Sequence, residues 1–104
     1  MFAYIWEYTV KENRKPEFLA AYGPDGDWAQ LFSIDSSFLG TNLLHDIENK
    51  DRFVTIDYWV SKGDLDAFKK QYSNEFASLD ERCEEHTISE EFLGDFEVYN
   101  GPAT

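Results

Sequence analysis

Two hydrophobic rhythms alternate along this chain. Residues Phe2 to Val10 set Tyr4, Trp6, Tyr8 and Val10 against Ala3, Ile5, Glu7 and Thr9, the period of two expected of a first strand. A helix is predicted from about Pro16, a residue suited to a first helical turn. It carries Phe18, Leu19 and Tyr22 until Gly23-Pro24-Asp25-Gly26 breaks it. Asp27 followed by Gln30 has the spacing of a capping box and predicts a short second segment bearing Trp28, Leu31 and Phe32. Strands are predicted over residues 37–47 and 52–60, joined by the polar turn Glu48-Asn49-Lys50-Asp51. Ser61 and Asp64 then form a second capping box. It opens a long helix, predicted over 63–86, whose Leu65, Phe68, Tyr72, Phe76, Leu79 and Cys83 make one narrow stripe. A last strand is predicted over 92–99.

Pairing the hairpin gives the sheet its faces. With Ile47 opposite Arg52, His45 faces Val54, Leu43 faces Ile56, Thr41 faces Tyr58 and Leu39 faces Val60, so one face is mostly apolar. The other face then holds Phe38, Gly40, Asn42, Leu44, Phe53, Thr55, Asp57 and Trp59. A slip of one residue exchanges every assignment. The order strand, helix, strand, strand, helix, strand predicts an α+β, ferredoxin-like fold: a four-stranded antiparallel sheet with both helices on one side. On this register the uncovered face carries Trp59, Phe53, Phe38 and Leu44. That is too much apolar surface for water, and the expectation is a homodimer packed sheet to sheet.

Composition narrows the picture further. A chain of 104 residues suits a single domain spanning 1–104, with 99–104 read as a flexible tail. Nine basic residues against 21 acidic ones give a formal net charge of −12, which disfavours nucleic acid and anionic membrane surfaces as partners. No run approaches the roughly 20 apolar residues of a membrane span, and the amino terminus does not read as a secretory leader, so a cytoplasmic protein is expected. A lone Cys83 forms no internal disulfide. Nine Phe, six Tyr and three Trp exceed what a small core needs, which points to an aromatic-lined pocket or a second buried surface.

Several segments carry a family resemblance: Ile5-Trp6-Glu7-Tyr8-Thr9-Val10, Ala21-Tyr22-Gly23-Pro24-Asp25-Gly26-Asp27-Trp28, Phe38-Leu39-Gly40-Thr41 and Ile56-Asp57-Tyr58-Trp59-Val60-Ser61-Lys62. Together they resemble the antibiotic biosynthesis monooxygenase domain family over residues 2–96, and the Trp59-x-Ser61-Lys62 junction is the most specific piece. The resemblance implies the dimeric α+β barrel. It also implies a small oxygenase that oxidises an aromatic polyketide-like or quinol substrate without a cofactor, the protein supplying a base, hydrogen bonds to the substrate anion and a dry pocket. His45 and Trp59 match a His and a Trp that aromatic-polyketide oxygenases of the family use. The accompanying Asn, Tyr and Arg positions fall near Thr55, Leu65 and Leu79 and do not match. The Trp and His of the family's haem degraders fall near Phe68 and Ser78, so the axial haem ligand is missing.

His45, whose unperturbed pKa of about 6.5 suits proton abstraction, is therefore the candidate base, against the alternative of a strand histidine tied to the hairpin end. Trp6, Asn42, Tyr58, Trp59, Phe68 and Tyr72 are the candidate pocket residues, although Trp59 and Asn42 fit a core or a dimer interface as well. Tyr4 and Tyr8 are added to the aromatic positions that would line a cavity between sheet and helices. Cys83 and His86, three apart, lack the further ligands a metal site needs, and no metal or other cofactor is expected. The alternative to an oxygenase is a non-catalytic, ligand-binding or regulatory dimer on the same fold. Light scattering at micromolar concentration is expected to give a dimer mass; a monomer mass contradicts the paired-sheet expectation.

Overall fold

The computed structural model describes residues 1–99; the remainder of the expected tail lies outside the described residues. Strands β1 (Phe2–Val10), β2 (Phe38–His45), β3 (Arg52–Trp59) and β4 (Thr87–Glu97) form one antiparallel sheet in the order β2-β3-β1-β4. Helices α1 (Lys15–Tyr22) and α2 (Asp27–Phe32) connect β1 to β2, and α3 (Lys62–Gln71) and α4 (Ser73–Cys83) connect β3 to β4. This is the ferredoxin-like α+β arrangement expected from the order of elements.

Local chemistry explains the helix boundaries. Ser61 caps α3: its hydroxyl accepts from the Asp64 amide at 3.1 Å and donates to the Asp64 carboxylate at 2.8 Å. The Asp27–Gln30 box does not form. Gly26 takes the cap position of α2, where a Cβ would come within 2.7 Å of the carbonyls of Ala20 and Ala21, and Gln30 Nε2 donates instead to the Asp25 carbonyl at 2.9 Å. The single long helix predicted over 63–86 is broken at Tyr72 (φ −111°, ψ 35°). Ser73 and Asn74, whose side chains compete for backbone hydrogen bonds, follow the break. The Tyr72 amide still donates to the Phe68 carbonyl, and its own carbonyl accepts from Phe76, both at 2.9 Å. β4 begins at Thr87, earlier than its hydrophobic pattern suggested.

The hairpin register differs from the expected one by a single residue. His45 pairs with Phe53, Leu43 with Thr55 and Thr41 with Asp57. The cause lies at the turn. Asp46 Oδ1 accepts from the amides of Glu48 and Asn49 at 2.8 and 3.1 Å, ending the strand there and leaving Ile47 fully exposed. At the other end a bulge around Leu39 and Gly40 (φ 129°) shifts the pairing again, so that Phe38 meets Trp59.

The correction moves residues between faces. Phe53, Thr55, Asp57 and Trp59 lie beneath the helices, not on the uncovered face, and all four are buried. They join Phe2, Tyr8, Val10, Phe18, Phe32, Leu65, Phe68 and Leu79 in a largely aromatic core. The uncovered face instead presents Ile5, Val54, Ile56 and Tyr58, flanked by Leu44 and Phe96, which are 49% and 46% exposed. An Arg52 guanidinium bonded to Glu7 and Asp46 crosses one end of it.

Candidate functional site

Between the sheet and its helices lies a cavity of about 220 Å³. β1 supplies Tyr4, Trp6 and Tyr8 to its floor, alternate residues of one strand and hence of one face. Thr41 comes from β2, Thr55 and Asp57 from β3, and Glu90 from β4. The roof is built by Tyr22 of α1, Trp28 and Phe32 of α2, Lys69 of α3, and Phe76 and Asp80 of α4. Aromatic contacts stiffen these walls: Trp28 meets Phe76 edge-on at 5.0 Å, and Tyr22 lies 4.8 Å from Tyr8.

Hydroxyls and charged groups punctuate these aromatic walls. Tyr8 Oη and Thr55 Oγ1 share a buried hydrogen bond at 3.0 Å. Burial drives the Tyr8 hydroxyl well above its ordinary pKa and raises that of Tyr22 as well, so both stay neutral phenols. Lys69 Nζ donates to Tyr4 Oη at 2.8 Å and sits 4.4 Å from the centre of the Tyr4 ring. At the rim, the exposed Glu90 accepts long bonds from Tyr22 Oη (3.5 Å) and Thr87 Oγ1 (3.4 Å). Desolvation raises its pKa, with the Asp80 charge adding to the effect.

Asp57 is the unusual group. It is 8% exposed, on a strand otherwise aromatic or β-branched on that face, and Thr41 Oγ1 donates to its Oδ1 at 2.6 Å. Among the described residues no protein donor reaches its second carboxylate oxygen. Burial pushes the acid up to about 6, opposed by the Thr41 hydrogen bond and, less strongly, by the Lys69 charge. A carboxylate that is ionised near neutrality, yet holds its proton more tightly than an ordinary aspartate, is suited to general-base work.

Of the residues singled out from the sequence as candidates, Trp6 lines this cavity and the rest do not. His45 lies at the far hairpin end, exposed, its ring stacked 4.1 Å from Phe53 and its Nε2 paired with the Lys50 carbonyl at 2.8 Å. Asn42 and Tyr58 pair with Ile56 and Gly40 on the uncovered face. Trp59 is 0% exposed, packed against Phe32, Phe38 and Phe68, and Phe68 is equally enclosed; Tyr72 rests against Phe68 at 4.9 Å. Tyr4 and Tyr8, expected to line a cavity, do so. Cys83 is buried, its thiol raised by desolvation, and no cluster of three or more metal-ligating side chains occurs among the described residues. Asp57, Lys69 and Glu90 were not anticipated. The signal for Asp57 was present: a charge spaced two residues from Trp59 and four from Phe53 shares their face.

Solved structures share this architecture, and they define a class: the fold of antibiotic biosynthesis monooxygenases. One structure described by that name matches with a TM-score of 0.71 at 17% identity, over 96% of this chain and 100% of its own. SnoaB, a cofactor-independent oxygenase from Streptomyces nogalater, matches with a TM-score of 0.78 at 17% identity over 96% of this chain and 94% of its own. A conserved protein from Methanosarcina mazei Go1 matches at 0.70 with 15% identity, covering 94% and 92%. No family model and no curated protein matches the chain. No helix among the described residues is long and apolar enough to cross a membrane.

The raised pKa of Asp57 has a stability consequence with a definite sign. The native state holds the Asp57 proton up to about pH 6, whereas the unfolded chain releases it near 3.8. Stability therefore falls as pH rises between those values and stays lower above them, by on the order of 3 kcal/mol. Asp57→Asn keeps an acceptor for Thr41 and removes the ionisation. Urea unfolding is expected to show the variant more stable than the parent above pH 6, with the gap closing towards pH 4; a gap independent of pH contradicts this assignment.

Proposed function

We propose that the cavity binds a small hydroxyaromatic or quinol and that the protein oxygenates it without a cofactor, with Asp57 as the general base. The observation that carries this reading is the buried Asp57 carboxylate, one oxygen bonded by Thr41, facing an aromatic-walled cavity. His45, at the exposed hairpin end and bonded to the Lys50 carbonyl, does not line that cavity. In the proposed reaction Asp57 takes the phenolic proton, and Lys69 with the Tyr4 hydroxyl faces the developing oxyanion. The phenolate donates one electron to dioxygen, and the radical pair recombines at an electron-rich ring carbon to a hydroperoxide. Loss of water then leaves a quinone. One oxygen atom stays in the product, the other leaves as water, and both hydrogens of that water come from the substrate. SnoaB, a cofactor-independent oxygenase on the same fold, supports the reaction class.

We also propose that two copies associate through the face bearing Ile5, Val54, Ile56, Tyr58, Leu44 and Phe96, and that the protein works in the cytoplasm. The apolar character of that face supports the first proposal.

Oxygen uptake by metal-free protein with a panel of hydroquinones and anthrones tests the reaction. For a substrate that is turned over, kcat/KM is expected to rise with pH to a plateau, with an apparent pKa near 6. Asp57→Asn is expected to lower it about 100-fold or more, and His45→Ala to leave it unchanged. Binding without uptake across the panel replaces the oxygenase with a non-catalytic ligand-binding protein. Uptake that survives in Asp57→Asn but fails in His45→Ala returns the base to the hairpin.

A further inference from the structure

We propose that the cavity selects an uncharged hydroxyaromatic of about two fused rings and rejects its carboxylated analogue, with Glu90 and Asp80 at the mouth as the specificity-determining residues. The inference rests on reading the cavity as the substrate site; it does not depend on turnover.

The charges lining the cavity point this way. Three carboxylates, Asp57, Asp80 and Glu90, oppose one ammonium, that of Lys69, a formal balance of −2. Lys69, bonded to the Tyr4 hydroxyl and held over the Tyr4 and Phe76 rings at 4.4 and 5.6 Å, offsets one of these three carboxylates. Among the described residues no arginine lines the cavity to form the two-pronged contact that carboxylates favour. An incoming anion thus passes Glu90 and Asp80, both exposed at the rim, and then meets Asp57 in the low-dielectric interior, where charge is least screened. The net charge of −12 adds repulsion at longer range.

Size and placement complete the argument. A cavity of roughly 150 Å³ holds one benzene, so about 220 Å³ suits a naphthalene-sized ring system. Asp57 pairs at the level of Tyr4 on β3, and Glu90 at the level of Tyr8 on β4, so β1 lies between them. The two backbones are displaced by about 13 Å along β1 and about 10 Å across it. With Asp57 buried and Glu90 exposed, one carboxylate sits deep in the cavity and the other at its mouth, each an acceptor for a hydroxyl and a repellent for an acid group.

Isothermal titration calorimetry near neutral pH and at low ionic strength, comparing α-naphthol with a hydroxynaphthoic acid of the same ring system, tests the proposal. The wild-type protein is expected to bind the naphthol about tenfold more tightly or better, and added salt is expected to narrow the gap. In the Glu90→Gln, Asp80→Asn double variant the gap is expected to shrink to about threefold or less. Equal or tighter binding of the acid by the wild type overturns the proposal, as does failure of both compounds to bind at millimolar concentration or a gap unchanged in the double variant. Oxygen uptake measured in parallel separates the two claims. Uptake without discrimination removes the charge selection and leaves the oxygenase, whereas discrimination without uptake does the reverse.

Discussion

Strand β3 allows no compromise between its core and its charge. Side chains alternate strictly along a strand, so the burial of Phe53 and Trp59 beneath the helices carries Thr55 and Asp57 in with them. Everything else about the site follows from accommodating that carboxylate. Thr41 on the neighbouring strand donates to one of its oxygens, and the pairing of Thr41 with Asp57 is fixed by the same register that buries Trp59. The bulge at Leu39 and Gly40 and the Asp46 turn are the two devices that hold this register. The cavity is the space left where the helices span the sheet over Asp57 rather than closing down on it.

A packed core would gain by replacing this group. An aspartate in an aromatic interior, with no protein donor among the described residues to its second oxygen, is costly, and its raised pKa is the direct expression of that cost. The aromatic layer around it, with Phe18 stacked on Tyr22 at 4.5 Å and Trp59 wedged among three phenylalanines, offsets the loss elsewhere in the molecule. A residue that weakens the fold while facing a cavity is the kind of local inconsistency that marks functional positions. The same logic separates Asp57 from His45, whose stacking on Phe53 and bond to the Lys50 carbonyl satisfy it as part of the hairpin.

Several local signals in the sequence are decisive because one short segment determines the outcome. The Ser61–Asp64 cap, the alternation in β1 and the strand–helix order all depend on neighbours within a few residues, and together they specify the ferredoxin-like topology. The register of β2 on β3 depends on something less visible. Asp46 spends its side chain on the turn amides, removing Ile47 from the strand, and hydrophobicity alone assigned Ile47 to the sheet. That single residue exchanged the faces, placing Trp59 on the open side and concealing Asp57. Lys69 and Glu90 were obscured for a different reason: each is an ordinary charged residue on its own element, and only the tertiary fold brings them to the same cavity. The break at Tyr72 is likewise invisible in the hydrophobic stripe, which continues unbroken through it.

The central claim is that Asp57 is an interior carboxylate tuned towards neutrality, and its side-chain carboxyl carbon reports this directly. A carbon-detected NMR titration, with the resonance assigned through Asp57→Asn, is predicted to give a pKa of about 6. A value at the ordinary 3.8 would mean that the carboxylate is solvated in solution, and it would contradict the account of the site.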